Sequence, residues 1–428
     1  MPDAHILIVN PRDLKVLLLK QQVHWTLPVF PGNERHSEVN GITQAIRKQL
    51  GLRVHLLHCI QDHLRVYAAE NLSANITPLN GRWFSKEELG SLDSEHSKLL
   101  AKHSIGKLLP ITPPWARIGW FEKAEKWILE KLEKKGTPAT GPIEHVKVWG
   151  LSCILRVPTD QGWAWFKAVP PVFSREPGLV RHLNKRYPGS VPRVISTNSG
   201  KGWLLTRDFG GRALCDFTDP AYWATVLKSY AQLQQEEVPY AKQLAIDLVI
   251  RGGLDRLESW ASLLTESSNM ATQGLIPETA AKEWGRIVPA IKQKCRQLAA
   301  YKIPETLEHG DLYCGNININ DDGVVFFDWT DGSISHPFFS LDPFLNECEF
   351  SETDKEHIVS SYLKSWATYL GRDIEDITAA WELAKPLALV HQTVIYFRIK
   401  RSLQPEGRWQ IGNSPENLLR KTIDAFKD

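Results

Sequence analysis

The chain has 428 residues, of which 43% are apolar, more than a single core usually organises, so two or three soluble domains are expected. With 51 basic against 49 acidic residues, a formal net charge of +2 and no long single-sign stretch, nothing resembles a phosphate-backbone footprint, and no nucleic-acid partner is expected. The apolar run within Met1–Asn10 is too short for a signal-peptide core or a membrane span, so a cytoplasmic protein with no membrane partner is expected.

Two apolar runs, Ile6–Val9 and Val16–Leu19, are separated by Asn10-Pro11-Arg12-Asp13 and predict a β-hairpin. After Pro31-Gly32, residues Ile42, Ala45, Ile46 and Leu50 recur at helical spacing, with Gly51 where a C-terminal glycine belongs; strand-like text continues through Tyr67. An α/β unit is expected here. Its segment Trp25-Thr26-Leu27-Pro28-Val29-Phe30-Pro31-Gly32, Glu38, the helix with Gly51-Leu52, and Arg82-Trp83-Phe84-Ser85-Lys86-Glu87-Glu88-Leu89 together resemble a Nudix hydrolase domain. The resemblance covers about residues 1–105 and implies a helix whose glutamates hold divalent metal beside a diphosphate. Anchored on Gly51, however, Gln44 stands at the arginine position, and Ala45, Lys48 and Gln49 stand at the glutamate positions. Methyl, ammonium and amide groups cannot replace that negative charge, so a degenerate Nudix-like binding or docking module is expected instead of a hydrolase.

Pro110, Pro113 and Pro114 interrupt regular structure, and a helix-like run from Trp115 to Lys135 follows. Trp120, Ala124, Trp127, Ile128 and Leu132 form its apolar stripe, with Glu122–Lys126 and Glu130–Lys134 pairs on the wet side, the pattern of a docking helix in a linker. Val146–Trp149, Ile154–Val157 and Trp163–Phe166, separated by turns, predict a small sheet, and Glu176–Leu183 is helix-like. Beyond Asp219 helical periodicity dominates, as in Tyr222–Gln235 and Leu254–Leu264, around a strand-rich patch from Leu307 to Trp329. The six cysteines, Cys59, Cys153, Cys215, Cys295, Cys314 and Cys348, form no CxxC pair and are expected to be reduced thiols.

That patch carries the chemistry. His309-Gly310-Asp311-Leu312-Tyr313-Cys314-Gly315-Asn316 is followed by the apolar run Val324–Phe327 and Asp328. Phosphoryl transfer needs a carboxylate near the attacking hydroxyl and oxygen ligands that hold magnesium against nucleotide phosphates, and Asp311, Asn316 and Asp328 supply these types at a spacing shared with the protein-kinase catalytic loop. The block resembles the catalytic core of the aminoglycoside phosphotransferase and choline kinase-like family, HGDxxxxN followed by a strand ending in Asp. The resemblance implies a protein-kinase-like fold, with Asp311 as catalytic base, His309 supporting the loop, and Asn316 and Asp328 as magnesium ligands.

A kinase of this type also needs a cation on the phosphates and an acid that holds it, both upstream of the loop. Lys167, after Trp163–Phe166, and Glu176, opening its helix, match those places. The turn around Gly150 and Ser152 lies where the nucleotide-covering loop belongs. Asp208-Phe209-Gly210 spells the protein-kinase magnesium triplet but precedes Asp311, the wrong order; Leu204–Phe209, with Thr206 and Asp208, resembles instead the hinge strand that contacts adenine. Relatives often carry an acid where this chain has Ser340, which leaves open how the loop is braced; the acidic group Asp342, Glu347, Glu349, Glu352 and Asp354 could receive a cationic amine substrate, but Ser351-Glu352-Thr353-Asp354 reads first as a helix start whose acids suit the dipole.

The expected architecture is α+β. It comprises a degenerate Nudix-like α/β domain (residues 1–106), a linker helix (107–142), and a two-lobed kinase with a small β-rich lobe (143–210) and a large helical lobe (211–428). The expected function is transfer of the γ-phosphate of ATP, or GTP in its place, to a hydroxyl of a small molecule with Mg2+. The alternative is a non-catalytic nucleotide-sensing pseudokinase with a ligand-binding Nudix-like module.

Overall fold

Along β1 (Asp3–Val9) the side chains alternate between two cores, with Ala4, Ile6 and Ile8 buried on one face and Leu7 and Val9 on the other. This is the period-two pattern of a strand covered on both sides. The computed structural model describes residues 2–61, 65–73, 76–90, 112–263, 275–346 and 349–427. Pro110, Leu264, Glu347, Cys348 and residues 91–105 of the stretch expected to be Nudix-like lie outside the described residues. The expected hairpin is present: β2 (Val16–Gln21) returns antiparallel, with Val9 opposite Val16. β3 (His24–Thr26), β4 (Val29–Pro31), β5 (Val54–Gln61), β6 (Val66–Asn71) and β7 (Gly81–Phe84) complete a seven-stranded sheet in which β6 runs parallel to β1. α1 (Ile42–Leu50) forms over the predicted residues and ends on Gly51 at φ 71°, whose N–H bonds the Arg47 carbonyl. That left-handed geometry strains any side chain with a Cβ and explains the glycine. α2 (Lys86–Gly90) follows β7.

α3 (Trp120–Lys134) begins at Trp120 rather than Trp115, because Pro114–Ala116 make a 3-10 turn and Gly119 adopts φ 77°. Its predicted stripe is the buried one: Trp120, Ala124, Ile128 and Leu132 are inside, with Trp127 packed beside them. β8 (Glu144–Val148), β9 (Cys153–Thr159), β10 (Gly162–Ala168), β11 (Val194–Asn198) and β12 (Trp203–Arg207) form a second sheet in the order β11-β12-β10-β9-β8. One continuous core joins the first sheet (Ile6, Leu56, Tyr67), α3 (Ile128) and the second sheet (Leu155, Phe166). The backbone reinforces it: Val39 N–H donates to the Val146 carbonyl at 3.0 Å and Val148 N–H to that of Ser37 at 2.8 Å. Buried between them, His55 Nδ1 meets His145 Nε2 at 2.8 Å while His55 Nε2 bonds the Trp115 carbonyl at 2.8 Å. These parts make one compact unit, Met1–Pro171 with Ile195–Asp208 and Leu403–Gln410.

The second unit comprises Val172–Val194, Phe209–Ser402 and Ile411–Asp428. Its helices are α4 (Glu176–Arg186), α5 (Pro220–Glu237), α6 (Ala241–Asp247), α7 (Leu254–Leu263), α8 (Glu278–Ala299), α9 (Leu341–Asn346), α10 (Glu352–Leu370), α11 (Ile374–Ser402) and α12 (Ser414–Asp424). Its strands are β13 (Arg212–Ala213), β14 (Ile250–Arg251), β15 (Thr306–Glu308), β16 (Ile317–Asn320), β17 (Gly323–Phe326) and β18 (Ser333–Ser335), in two three-stranded sheets, β13-β16-β17 and β14-β18-β15. Asp219 caps α5 through the Ala221 N–H and Ser351 caps α10 through the Asp354 N–H, so Glu352 and Asp354 occupy a first helical turn.

One expectation is corrected here. Cys215 and Cys314 are joined by a disulfide, whereas Cys59, Cys153 and Cys295 are free and buried. The partners are 99 residues apart. Their proximity follows from the antiparallel pairing of Arg212 with Ile319 and Ala213 with Asn318, a long-range contact that cysteine spacing does not encode. Among the described residues no helix is long and apolar enough to cross a membrane.

Candidate active site

The hairpin of β16 and β17 assembles the site in the second unit. Ile317 pairs with Phe326, and one step further the Phe327 N–H donates to the Asn316 carbonyl at 3.0 Å. Asn316 and Asp328 therefore flank the open end of one hairpin. Asn316 Nδ2 donates to the Asp311 carbonyl at 3.0 Å and to Asp311 Oδ2 at 3.1 Å. The amide is thus turned with its nitrogen toward Asp311 and its oxygen away from it. Asp328 adopts φ 63°, an uncommon angle for a non-glycine residue, and its Oδ1 accepts from Thr330 Oγ1 at 3.0 Å.

His309 is wholly buried. Asp311 N–H reaches its Nδ1 at 3.4 Å and its Nε2 lies 3.0 Å from the Phe327 carbonyl. The neutral tautomer with hydrogen on Nε2 satisfies both contacts, so the ring ties the loop backbone to the residue before Asp328. Trp329 packs against it at 4.4 Å between ring centroids. Gly310, at φ 82°, lies so close to the Asp331 backbone that a Cβ would stand 2.5 Å from the Asp331 carbonyl oxygen; its own carbonyl accepts from buried Gln392 Nε2 of α11 at 2.7 Å.

The acid chemistry around the loop is denser than the sequence suggests. Burial, and then the charge of Asp311, push Asp331 up to about 8, while Arg398 of α11 opposes the rise. Burial pushes Glu308 up to about 7 against hydrogen bonds from Ser340 and the Gly310 N–H. Ser340 does not lack a carboxylate partner: its hydroxyl donates to Glu308 Oε1 at 2.6 Å. Asp342 is not required for that contact. Glu308, Asp331, Tyr230, Gln392 and Arg398 escape motif reading; the acid three residues after Asp328 was the one available signal.

The other candidates divide between the units. Glu176 is buried as the first residue of α4 in the second unit. In the first unit Lys167 sits on the middle strand β10, opposite Ile154 and Leu204. Ala164, Phe166 and Ala168 fill the core, so alternation turns Lys167 to the opposite face, where it is half-buried. Thr206 is buried opposite Trp165, and the exposed Asp208 donates its N–H to the Trp163 carbonyl at 3.0 Å. The Gly150 N–H donates to Gln410 Oε1 at 2.7 Å, and Ser152 Oγ accepts from the Trp149 indole at 2.8 Å. A phosphate at that turn would have to displace these two partners.

The sequence pattern that defines the phosphotransferase enzyme family, APH, matches residues 147–384. No curated protein sequence matches the chain. Among solved structures, an ethanolamine kinase from Plasmodium vivax superposes with a TM-score of 0.52 at 13% identity, covering 80% of this chain and 94% of that one. A choline kinase from Cryptosporidium parvum gives 0.51 at 10% identity, covering 71% and 94%. At such identities the likeness speaks for the fold, which is kinase-like.

Proposed function

Because this chain belongs to the phosphotransferase enzyme family, we propose that it is a small-molecule kinase that moves the γ-phosphate of ATP, or of GTP, onto a substrate hydroxyl. The observation that carries this reading is the joint fixation of Asp311, Asn316 and Asp328 at the end of one hairpin through the Asn316 amide and the His309 ring. An amide oxygen and a carboxylate are hard donors, and so small a protein ligand set suits Mg2+, which takes its remaining ligands from water and nucleotide phosphates. Bound there, the metal would neutralise charge developing on the transferred phosphoryl group. Asp311 orients the acceptor hydroxyl and receives its proton, and His309 holds the loop backbone. Lys167 supplies a cation for the phosphates, with Glu176 as its acid. The backbone around Thr206 and Asp208 receives adenine, and Gly150 and Ser152 cover the phosphates once Gln410 and Trp149 release them.

The first hundred residues, in this reading, are a Nudix-like module that has become a support for the small lobe, residues 143–210. Gln44, at the position where a Nudix helix carries arginine, donates Nε2 to Glu144 Oε1 of β8 at 2.7 Å, and Ala45 packs against the shared core. The helix thus uses for docking the side that would otherwise serve a metal.

Thermal unfolding with ATP or GTP, with and without magnesium, tests the assignment. Nucleotide at a hundredfold its dissociation constant adds about 2.7 kcal/mol. The shift should require magnesium and vanish in Asp328→Ala; absence of any shift with either nucleotide would sink the reading.

A further inference from the structure

Resting on the kinase reading above, we infer that Glu308 is a positioning residue that sets Asp311 through a closed hydrogen-bond ring. The ring runs from the His309 N–H to Tyr230 Oη (2.9 Å), from Tyr230 to Ser340 Oγ (2.8 Å), and from the Ser340 hydroxyl to Glu308 Oε1 (2.6 Å). Glu308 and His309 are adjacent in sequence, so the side chain of one residue is linked to the backbone of the next by two hydroxyls from distant elements. Glu308, His309, Tyr230 and Ser340 are all fully buried. No solvent competes for these bonds, and bonds aligned in one direction polarise each other.

The direction of the ring depends on charge. With Glu308 ionised, the carboxylate accepts from Ser340, Ser340 accepts from Tyr230, and Tyr230 accepts from the His309 N–H, so every donor has one acceptor. A protonated Glu308 can instead donate to Ser340. Ser340 then turns its hydrogen toward Tyr230, and Tyr230 must accept from two donors and send its own hydrogen elsewhere. The backbone at 309–310, already fixed by Gln392 on the Gly310 carbonyl, loses its registration two residues before Asp311.

The groups facing this carboxylate come from every element around it. Asp311 is an acid whose charge disfavours its ionisation, and the charge of Glu308 in turn helps to keep Asp331 protonated. Tyr230 of α5 and Tyr362 of α10 are neutral phenols held up by burial. His336, ahead of α9, and His391 of α11 are held neutral by burial, at about 3. His391 Nε2 lies 4.0 Å from Glu308 Oε2 and, being neutral, is no counter-ion. Ser333 of β18 also hydrogen-bonds the Glu308 carboxylate and favours its ionisation, while His391 Nδ1 has no hydrogen-bond partner among the described residues. Burial, offset in part by these hydrogen bonds, holds the carboxylate up to about 7, so its ionisation is decided near neutrality.

The test uses the full chain and Mg·ATP as probe, following slow turnover to ADP between pH 5.5 and 9 in wild type, Glu308→Gln and Tyr230→Phe. Wild-type kcat should rise about tenfold per unit below a midpoint near neutrality. Glu308→Gln, which keeps the shape and one acceptor but cannot ionise, should lose that limb and run 10-fold or more below the wild-type plateau, with KM for ATP unchanged. Tyr230→Phe, the milder change, should lower kcat while the folded fraction stays at the wild-type level. Hydrogen exchange supplies a readout independent of turnover: amides of 309–316 should exchange faster in both variants, with the remainder of the second unit unchanged. A pH profile shared by wild type and Glu308→Gln, or unchanged exchange at 309–316, overturns the inference and leaves the kinase reading standing. Absence of Mg·ATP turnover in wild type counts against the kinase reading, and the exchange result then decides the ring alone.

Discussion

Opening the Cys215–Cys314 bond, by Cys215→Ser or by reductant, releases a crosslink across a sequence separation of 99. In the chain-entropy account a loop of about 100 residues constrains the unfolded ensemble by about 4.7 kcal/mol at 25 °C, and measured effects typically fall to about 2–4 kcal/mol. The folded state should survive. The β13–β16 pairing persists without the bond, and Asn318 and Asn320 still donate to the Gly210 and Phe209 carbonyls at 2.9 and 2.7 Å. The effect therefore falls on the unfolded chain, and at about 2–4 °C per kcal/mol for a unit of this size the melting temperature should drop by about 8 °C. Scanning calorimetry with and without a phosphine reductant measures the drop, and non-reducing peptide mapping should recover the Cys215 and Cys314 peptides linked. Both thiols free to alkylate in protein never exposed to reductant, with the melting temperature of Cys215→Ser, would show that the bond does not form or does not stabilise the fold.

Gly310→Ala places a methyl 2.5 Å from the Asp331 carbonyl oxygen at a backbone angle that disfavours any Cβ; Mg·ATP turnover should fall at least 100-fold and unfolding free energy by about 2–4 kcal/mol, and near wild-type turnover would contradict the described loop. Acid should destabilise the fold. His55 (about 4), His336 and His391 (about 3) and His145 all have folded pKa values below the ordinary 6.5, so as pH falls below 6.5 the unfolded chain takes up protons that the folded chain refuses. Glu308 and Asp331, raised to about 7 and about 8, act oppositely and hold protons that the unfolded chain releases above its own carboxyl range. Four protons refused against two retained leaves a net loss of at most about 3 kcal/mol per pH unit between 6.5 and 5, visible in urea midpoints; stability that rises over that interval would reverse the sign. A chain starting at residue 143 removes α3 and the first sheet from the shared core around Leu155 and Phe166. It should be insoluble or molten by near-UV dichroism, and a cooperative two-state melt would show that the small lobe stands alone.

Local periodicity made much of the fold legible. α1 and its Gly51 end, the apolar stripe of α3 and the β1–β2 hairpin all lie where spacing predicts, because each depends on neighbours within a few residues. The helix-like spacing from Trp115 overruns the start of α3, since Trp115 belongs to the core through a 3-10 turn and not through the helix. The motif His309–Asn316 with Asp328 identified the constellation that the hairpin assembles, as its residues are close in sequence. What brings Tyr230, Ser340 and Gln392 to that loop is packing across separations of 79, 32 and 82 residues. No motif encodes such contacts, and a buried glutamate just before the loop reads in sequence as an ordinary strand residue. The Cys215–Cys314 bond was hidden for the same reason.

The kinase assignment rests on phosphoryl transfer, which phosphorus NMR can follow in the full chain with Mg·ATP against a panel of small hydroxyl compounds. A phosphomonoester and ADP should form in equal amounts for at least one acceptor, with the rate reduced about 10³-fold in Asp311→Asn while nucleotide binding is kept. Mg·ATP binding accompanied by ADP formation that is the same in wild type and Asp311→Asn would contradict it.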